Sequence, residues 1–180
     1  MISMIDYTRL GRSTEFYTEM GYKRIESPWT VTQYVSDITK PEDAFDWEIK
    51  GKEKVLVASG EQSFLYLYLK GFLPKGRFQT ITPCFRNESF DLLHTKYFMK
   101  NELIITDDVS EKSLKEMINH AREFFKNELG TSVSVRKTDI GWDIEYKGIE
   151  LGSYGIRSCP YLDWIYGTGC AEPRMSLVQS

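Results

Sequence analysis

The sequence lacks the features that mark disulfide-stabilised, zinc-binding and membrane-spanning proteins. It contains three cysteines, Cys84, Cys159 and Cys170, which form no CxxC pair, and two histidines, His94 and His120. An odd, widely spaced set of cysteines predicts neither a disulfide framework nor a zinc site, and it favours a reducing cytoplasm. No apolar run reaches the length of a membrane helix, and no signal-peptide core is found, so no association with a membrane is expected.

A strong charge of one sign is also missing. The 23 lysines and arginines are scattered and nearly balance the 26 acidic residues, which gives a formal net charge of -3. Nucleic-acid binding driven by charge alone is therefore not indicated. The chain is instead rich in apolar residues, with 41% hydrophobic and 14% aromatic side chains. That supply is enough for one core, so residues 1–180 are predicted to form a single domain.

Three segments have the periodicity or the end signals of helices. In "SEKSLKEMINHAREFFKNELG" (residues 110–130) an apolar stripe follows a Ser110 cap and ends at Gly130. A helix is also predicted over residues 14–20 behind a Ser13 cap, and another over residues 62–72. Strands are predicted around Pro28 and at residues 54–58, 77–86, 97–105, 132–136, 142–146 and from 149 onward. This order predicts an α+β fold in which a mainly antiparallel sheet is flanked by helices.

The segment "TPCFRNESFDLLHTKYFMKNEL" (residues 82–103) concentrates charged residues on one face of a predicted hairpin. Because side chains alternate along a strand, Arg86 and Glu88 share a face, as do Phe98, Lys100 and Glu102. A loop at residues 89–93 would bring the two groups together. One interpretation is a solvated face that carries cross-strand ion pairs. The other is a binding site.

The order Phe-Arg-x-Glu, His, Phe, Glu in this segment resembles motif 2 of the class II aminoacyl-tRNA synthetases, most closely the aspartyl, asparaginyl and lysyl subgroup. The resemblance implies that Arg86 contacts the α-phosphate of ATP and the amino-acid carboxylate. It also implies that Glu88 and Phe98 bind adenine and that His94 lies near the terminal phosphates. A planar arginine suits this role, because it can hold two anionic oxygens and stabilise the charge of a transition state.

Two other segments resemble the remaining motifs of this family. "YTEMGYKRIESP" (residues 17–28) resembles motif 1, a helix that leads into a strand carrying Pro28, and it implies a homodimer centred on this segment. "GTGCAEPRMSL" (residues 167–177) resembles motif 3, and the resemblance implies that Arg174 reaches the γ-phosphate and acts in catalysis with Arg86. Pro173 suits the first turn of the expected helix. The three motifs occur in the family's order across nearly the whole chain.

The segment "WDIEYKGIELGSYGIRS" (residues 142–158) resembles a segment of the aspartyl enzymes with an acidic residue, a glutamate and an arginine at regular spacing. The matching residues are Asp143, Glu150 and Arg157. A tight turn at residues 147–148 would pair Glu145 with Glu150 and place Asp143 on the same face. Clustered carboxylates favour a cation, so Asp143 and Glu150 are predicted ligands of Mg²⁺ bound to ATP, with Glu145 as an alternative to Asp143.

Four residues are candidates for binding the amino acid. "ASGE" (residues 58–61) lies where many class II enzymes hold the α-ammonium group, which implicates Ser59, Glu61 and also Glu102. Arg157 matches the arginine that grips the substrate carboxylate in aspartyl enzymes, and without a protein partner it would demand an anion. An acidic or small polar amino acid is therefore expected. Arg157 could instead pair with a nearby glutamate, and motif 3 looks more like that of the seryl subgroup.

The resemblance covers a catalytic core and no anticodon-binding domain. The expected protein is a cytoplasmic, stand-alone paralogue that uses ATP and Mg²⁺ to activate an amino acid and passes it to a carrier protein or another acceptor. A tRNA is a possible acceptor if another chain supplies recognition. The competing hypothesis is a non-catalytic core that binds a nucleotide or a partner. Catalysis is favoured because Arg86, Glu88, Arg174 and the acidic residues are all present.

Overall fold

The computed structural model describes residues 5–87 and 96–179. Within these residues the chain forms five helices and nine strands. The helices are α1 (Tyr7–Glu19), α2 (Gln33–Asp37), α3 (Gly60–Leu69), α4 (Glu111–Leu129) and α5 (Arg174–Gln179). The strands are β1 (Lys23–Arg24), β2 (Thr30–Val31), β3 (Val55–Leu56), β4 (Arg77–Phe85), β5 (Tyr97–Ile105), β6 (Ser134–Lys137), β7 (Trp142–Tyr146), β8 (Ile149–Cys159) and β9 (Leu162–Glu172).

One large sheet organises the fold. Its strands lie in the order β1-β4-β5-β9-β8-β7-β6, and β2 and β3 form a separate two-stranded ribbon. The described pairings in the large sheet are antiparallel except for the parallel pair β1 and β4. The predicted α+β fold with a mainly antiparallel sheet is therefore confirmed. Pro28 lies between β1 and β2, where its missing N–H interrupts no ladder.

Successive residues of the central strands face two different cores. Leu103 and Ile105 of β5 are buried with apolar residues of α1 and α4. Ile104, between them, is buried with residues of α3 and of the β2–β3 ribbon. This alternation follows from the two-residue period of a strand. Both faces of the sheet are therefore covered, and the candidate site described below lies on the α3 face.

Helix α4 has the stripe and both end signals that the sequence predicts. Ser110 Oγ accepts a hydrogen bond from Ser113 N at 3.2 Å, and Gly130 ends the helix with a left-handed φ of 67°. The buried stripe consists of Leu114, Met117, Ile118, Ala121, Phe124 and Phe125. In the described parts of the chain, no helix combines the length and the apolar character needed to cross a bilayer.

Helix α1 differs from the prediction at its N-terminus. It begins at Tyr7 instead of residue 14, and the Asp6 side chain caps it by accepting a hydrogen bond from Arg9 N at 2.8 Å. Ser13, the predicted cap, is fully buried inside the helix and accepts a hydrogen bond from Asn101 Nδ2 at 2.8 Å. The prediction was wrong because a serine hydroxyl serves a buried tertiary contact as well as it serves a helix end.

A buried arginine joins α1 to the C-terminal part of the fold. The Arg9 guanidinium donates hydrogen bonds to Glu172 at the end of β9, to Glu128 of α4 at 3.0 Å and to Ser176 of α5 at 3.0 Å. Arg9 is only 7% exposed and Glu172 is fully buried. Ser176 Oγ donates a further hydrogen bond to Glu172 at 2.8 Å. This network fixes α1, α4 and α5 relative to one another.

Candidate active site

A cleft of about 320 Å³ opens between the N-terminus of α3, the end of β4, the middle of β5 and the β7–β8 hairpin. Its volume is at the lower end of the range for small-molecule sites. Among the described residues, the charged side chains that line it are four cations and four anions. They are Lys40, Arg86, Lys100, Arg157, Asp46, Glu61, Glu102 and Glu150.

An arginine and an aromatic ring lie together beside this cleft. Arg86 N donates to Lys96 O at 3.0 Å, which continues the β4–β5 ladder beyond the end of β4. Cys84 is directly opposite Phe98, so Arg86 and Phe98 lie on the same face. The guanidinium carbon of Arg86 is 5.2 Å from the centre of the Phe98 ring. The shared face that the alternation predicts is thus confirmed for these two residues, and the pair offers a planar cation next to a flat apolar surface.

The two carboxylate oxygens of Glu102, which also lines the cleft, differ in their contacts. The residue is 1% exposed, and its Oε1 pairs with Lys100 Nζ at 2.9 Å. Its Oε2 has no hydrogen-bond partner among the described residues. Gly60 allows α3 to begin directly above this side chain, since a Cβ there would lie 2.8 Å from the Cβ of Glu102. Burying an acceptor without a partner is unfavourable, so Oε2 is a place where a hydrogen-bond donor of a ligand can bind.

Arg157 of β8 is held by the protein. Its Nη1 donates to Glu61 Oε2 at 2.7 Å, and its guanidinium carbon lies 4.3 Å from the centre of the Tyr166 ring. The other oxygen of Glu61 accepts a hydrogen bond from Trp164 Nε1 at 2.6 Å. Burial raises the pKa of Glu61, and the charge of Arg157 opposes that rise. The interpretation of Arg157 as a guanidinium without a protein partner is therefore wrong, and the alternative of a nearby glutamate is confirmed.

The β7–β8 hairpin presents the predicted acidic residues at one edge of the cleft. Lys147 and Gly148 form its tight turn with φ values of 51° and 76°. This turn pairs Glu145 with Glu150, as the sequence predicts. Glu150 lines the cleft. The hairpin thereby brings carboxylates next to the region that contains Arg86.

Arginines contact the acidic residues of this hairpin. Arg136 of β6 donates to Glu145 at 2.6 Å and to Asp143 at 3.1 Å. Arg174, the first residue of α5, lies 3.3 Å from a carboxylate oxygen of Glu150. Burial raises the pKa of Asp143, and the negative charge of Glu150 adds to the rise. Within residues 5–87 and 96–179, no group of three or more acidic, histidine or cysteine residues is arranged to hold a metal ion. The role of Asp143 and Glu150 as Mg²⁺ ligands stays a prediction.

Most of the predicted site residues come together in three dimensions. Those that line the cleft are Ser59, Glu61, Arg86, Glu102, Glu150 and Arg157. Phe98 lies beside Arg86, and Arg174 contacts Glu150 at the cleft edge. Asp143 lies two residues from Glu145 on the neighbouring hairpin strand. Glu88 and His94, which the resemblance assigns to adenine and to the terminal phosphates, lie outside the described residues.

Sequence reasoning missed the aromatic residues that support Arg157. Trp164 lies directly opposite Arg157 in the β8–β9 pairing, and Tyr166 is two residues further along the same face. The signal that could have revealed them is the two-residue turn at Pro160 and Tyr161, which sets this register. Gly155 is part of the arrangement, because a Cβ there would approach the Tyr166 ring to 2.8 Å.

Comparison with protein families gives one match that spans most of the chain. Residues 53–175 match the family described as tRNA synthetases class II core domain (F). No curated protein sequence matches the chain. The family match includes the end of β9 and the first residues of α5, where the sequence resembles motif 3.

Solved structures of class II synthetases have the same fold. Seryl-tRNA synthetase from Pyrococcus horikoshii, complexed with ATP, superposes with a TM-score of 0.74 at 18% identity over 94% of this chain and 49% of that chain. Cytoplasmic serine-tRNA ligase from Naegleria fowleri, in complex with AMP, gives 0.69 at 16% identity over 92% and 51%. Pyrrolysyl-tRNA synthetase from Desulfitobacterium hafniense gives 0.72 at 16% identity over 96% and 68%.

The chain thus spans about half the length of the two serine enzymes that it resembles. At these identities the likeness establishes the fold. The resemblance to the aspartyl, asparaginyl and lysyl subgroup is not confirmed, because these structures are seryl and pyrrolysyl enzymes.

Proposed function

Because this chain belongs to the family of class II tRNA synthetase core domains, we propose that it activates an amino acid with ATP to form an aminoacyl-adenylate. The amino acid has an acidic or small polar side chain, and it is passed to a tRNA, a carrier protein or another acceptor. The observation that carries this proposal is the buried Oε2 of Glu102, which has no partner among the described residues and lies in the same cleft as Arg86.

The spacing of the polar and aromatic groups suits an aminoacyl-adenylate. Phe98 and Glu102 are four residues apart on β5, which is about 13 Å along a strand. An aminoacyl-adenylate has a flat base at one end, an ammonium group at the other and a phosphate between them. Phe98 stacks on the base and Glu102 accepts a hydrogen bond from the ammonium. Arg86, which lies beside Phe98, binds the phosphate in this proposal.

Each residue has a defined role in the proposed reaction. A carboxylate oxygen of the amino acid attacks the α-phosphorus, an O–P bond forms, and the bond to the β-phosphate breaks to release pyrophosphate. Arg86 binds the carboxylate and an α-phosphate oxygen, which aligns them and stabilises the charge that develops. Arg174 binds the γ-phosphate. Ser59 and Glu61 form the wall of the amino-acid pocket.

The remaining proposed contacts concern the nucleotide. Glu88 and His94 bind adenine and the terminal phosphates, as the motif implies. Asp143 and Glu150 supply the hard oxygen ligands that Mg²⁺ prefers, and one or two carboxylates suffice when phosphates complete the shell. The raised pKa of Asp143 is consistent with such a cation. A positive charge nearby would stabilise the ionised carboxylate against the effects of burial and of the negative charge on Glu150. When bound, Mg²⁺ neutralises phosphate charge.

Activation is tested by ATP–pyrophosphate exchange with the purified chain and each amino acid in turn. We expect exchange that depends on one small group of amino acids and on Mg²⁺, and that disappears when the metal is chelated. The negative control is the same assay without an amino acid. If no amino acid supports exchange although ATP binds, the chain is a nucleotide-binding module and the proposal fails.

A homodimer is proposed with the motif 1 segment at its centre. Trp29, next to Pro28, is 55% exposed, as expected of a residue that a partner covers in the dimer. Sedimentation equilibrium should show a dimer at micromolar concentration, and Trp29→Lys should weaken it. Phe72→Lys, which changes an exposed aromatic residue outside this segment, is the matched control. A monomer in the unaltered protein would refute the dimer, and equal weakening by both variants would refute the position of the interface.

A further inference from the structure

Three of the cations that line the cleft are already paired with carboxylates of the protein. The pairs are Lys40–Asp46 at 2.7 Å, Lys100–Glu102 at 2.9 Å and Arg157–Glu61 at 2.7 Å. The amino-acid end of the cleft is therefore close to neutral. A ligand carboxylate that enters it meets Glu61 and Glu102 as well as the cations.

Arg157 is held in this arrangement by several contacts at once. Glu61 is 5% exposed, and both of its oxygens accept hydrogen bonds, one from Arg157 and one from Trp164. The Tyr166 ring lies against the guanidinium at 4.3 Å. Turning Arg157 toward a substrate would leave the buried carboxylate of Glu61 without its cation, which is unfavourable. Arg157 thus neutralises Glu61, and a substrate anion would have to compete with this carboxylate for its charge.

Neutral polar groups line the cleft along with the ion pairs. They are on Ser153, Thr168 and Tyr166 among others. Hydroxyl groups can donate to or accept from a small polar side chain without adding charge. The cleft is small, about 320 Å³, which favours a small side chain in the ligand.

We infer that the Arg157–Glu61 ion pair makes this site selective for a small, uncharged polar amino acid and excludes aspartate and glutamate. The inference rests on the proposed activation reaction and narrows its substrate class. Specificity here comes from an unfavourable interaction with the wrong ligand as well as from hydrogen bonds to the right one. Arg157 is a positioning residue for Glu61, and because the two charges already compensate each other, the pair offers an acidic side chain no cation of its own.

The test compares amino acids that match in shape and differ in charge. In ATP–pyrophosphate exchange, asparagine should exceed aspartate in kcat/KM by about tenfold or more, because the side-chain carboxylate of aspartate would lose its water while Arg157 is already paired with Glu61. Glutamine and glutamate form a second pair. Comparing serine and threonine with alanine shows how much a side-chain hydroxyl contributes to kcat/KM. Calorimetric titration of the same amino acids into protein saturated with a non-hydrolysable ATP analogue gives a readout that does not require turnover. Aspartate as the best ligand would overturn the inference and leave the proposed reaction intact.

The variant Glu61→Gln tests the mechanism of selection. The amide keeps the size of the side chain and can still accept from Trp164, but it no longer neutralises Arg157. The ratio of aspartate to asparagine in kcat/KM should therefore rise by about tenfold or more, because an arginine–carboxylate pair becomes available to the substrate. Asp46→Asn is the matched control, since it makes the same chemical change in another ion pair of the cleft and should leave the ratio unchanged.

The two variants and the wild-type series together decide the inference. A folded Glu61→Gln protein with an unchanged ratio would overturn it, as would an equal change in Asp46→Asn. If Glu61→Gln does not fold, the wild-type comparison of asparagine with aspartate still decides whether acidic side chains are excluded. If no amino acid supports exchange, the proposed function is refuted, and the inference is refuted with it.

Discussion

Replacing Arg86 by alanine is expected to lower amino-acid-dependent ATP–pyrophosphate exchange by about 10²-fold or more, the scale for loss of one preorganised transition-state donor. Arg86 directly follows β4, and its guanidinium lies 5.2 Å from the ring centre of Phe98 on the same face of the sheet. In the proposed reaction it contacts both the attacking carboxylate and the α-phosphate. Its loss should therefore reduce kcat more than it raises KM for ATP.

Two further variants make this result specific. Arg86→Lys retains the positive charge but not the planar fork, so it should recover only a small part of the lost rate. Arg122→Ala removes an exposed arginine from α4 and should leave exchange unchanged. Exchange at the wild-type rate in Arg86→Ala would show that this side chain has no part in the chemistry, and it would leave the cleft without its proposed transition-state donor.

Replacing Arg9 by methionine is expected to destabilise the fold by about 3–5 kcal/mol, the usual cost of removing one partner from a buried ion pair. Glu172 is fully buried, and Arg9 is its cationic partner. Methionine keeps most of the side-chain volume, so the loss comes mainly from the carboxylate that is left uncompensated. Urea unfolding at a fixed protein concentration measures the change, provided that the m-value stays constant.

The neighbouring Arg12 provides the matched control for this measurement. Its side chain is 46% exposed and pairs with Glu128 at 2.7 Å. Because exposed ion pairs contribute little, Arg12→Met should cost no more than about 1 kcal/mol. The double variant Arg9→Met with Glu172→Gln should be more stable than Arg9→Met alone, because it removes the unpaired charge. Equal destabilisation by Arg9→Met and Arg12→Met would contradict the role of the buried pair.

The sequence by itself determined the elements whose signals are local. The α4 helix follows from a stripe with period 3.6 between Ser110 and Gly130, and β5 and β7 have the bounds that alternation predicts. The pairing of Glu145 with Glu150 also follows from neighbouring residues, because a two-residue turn leaves one register. The order of the three motifs identified the family, since each motif is a continuous segment.

Only the tertiary structure decided the contacts between residues that are distant in sequence. Arg157 and Glu61 are separated by 96 residues, and Arg9 and Glu172 by 163. Alternation predicts the face on which such a side chain lies, but it does not predict which partner an arginine meets there. The sequence therefore allowed Arg157 to bind either a substrate carboxylate or a glutamate of the protein. The packing of α3 against the sheet decided between them, because it buries Glu61 next to Arg157 and Trp164, where the carboxylate requires a cation.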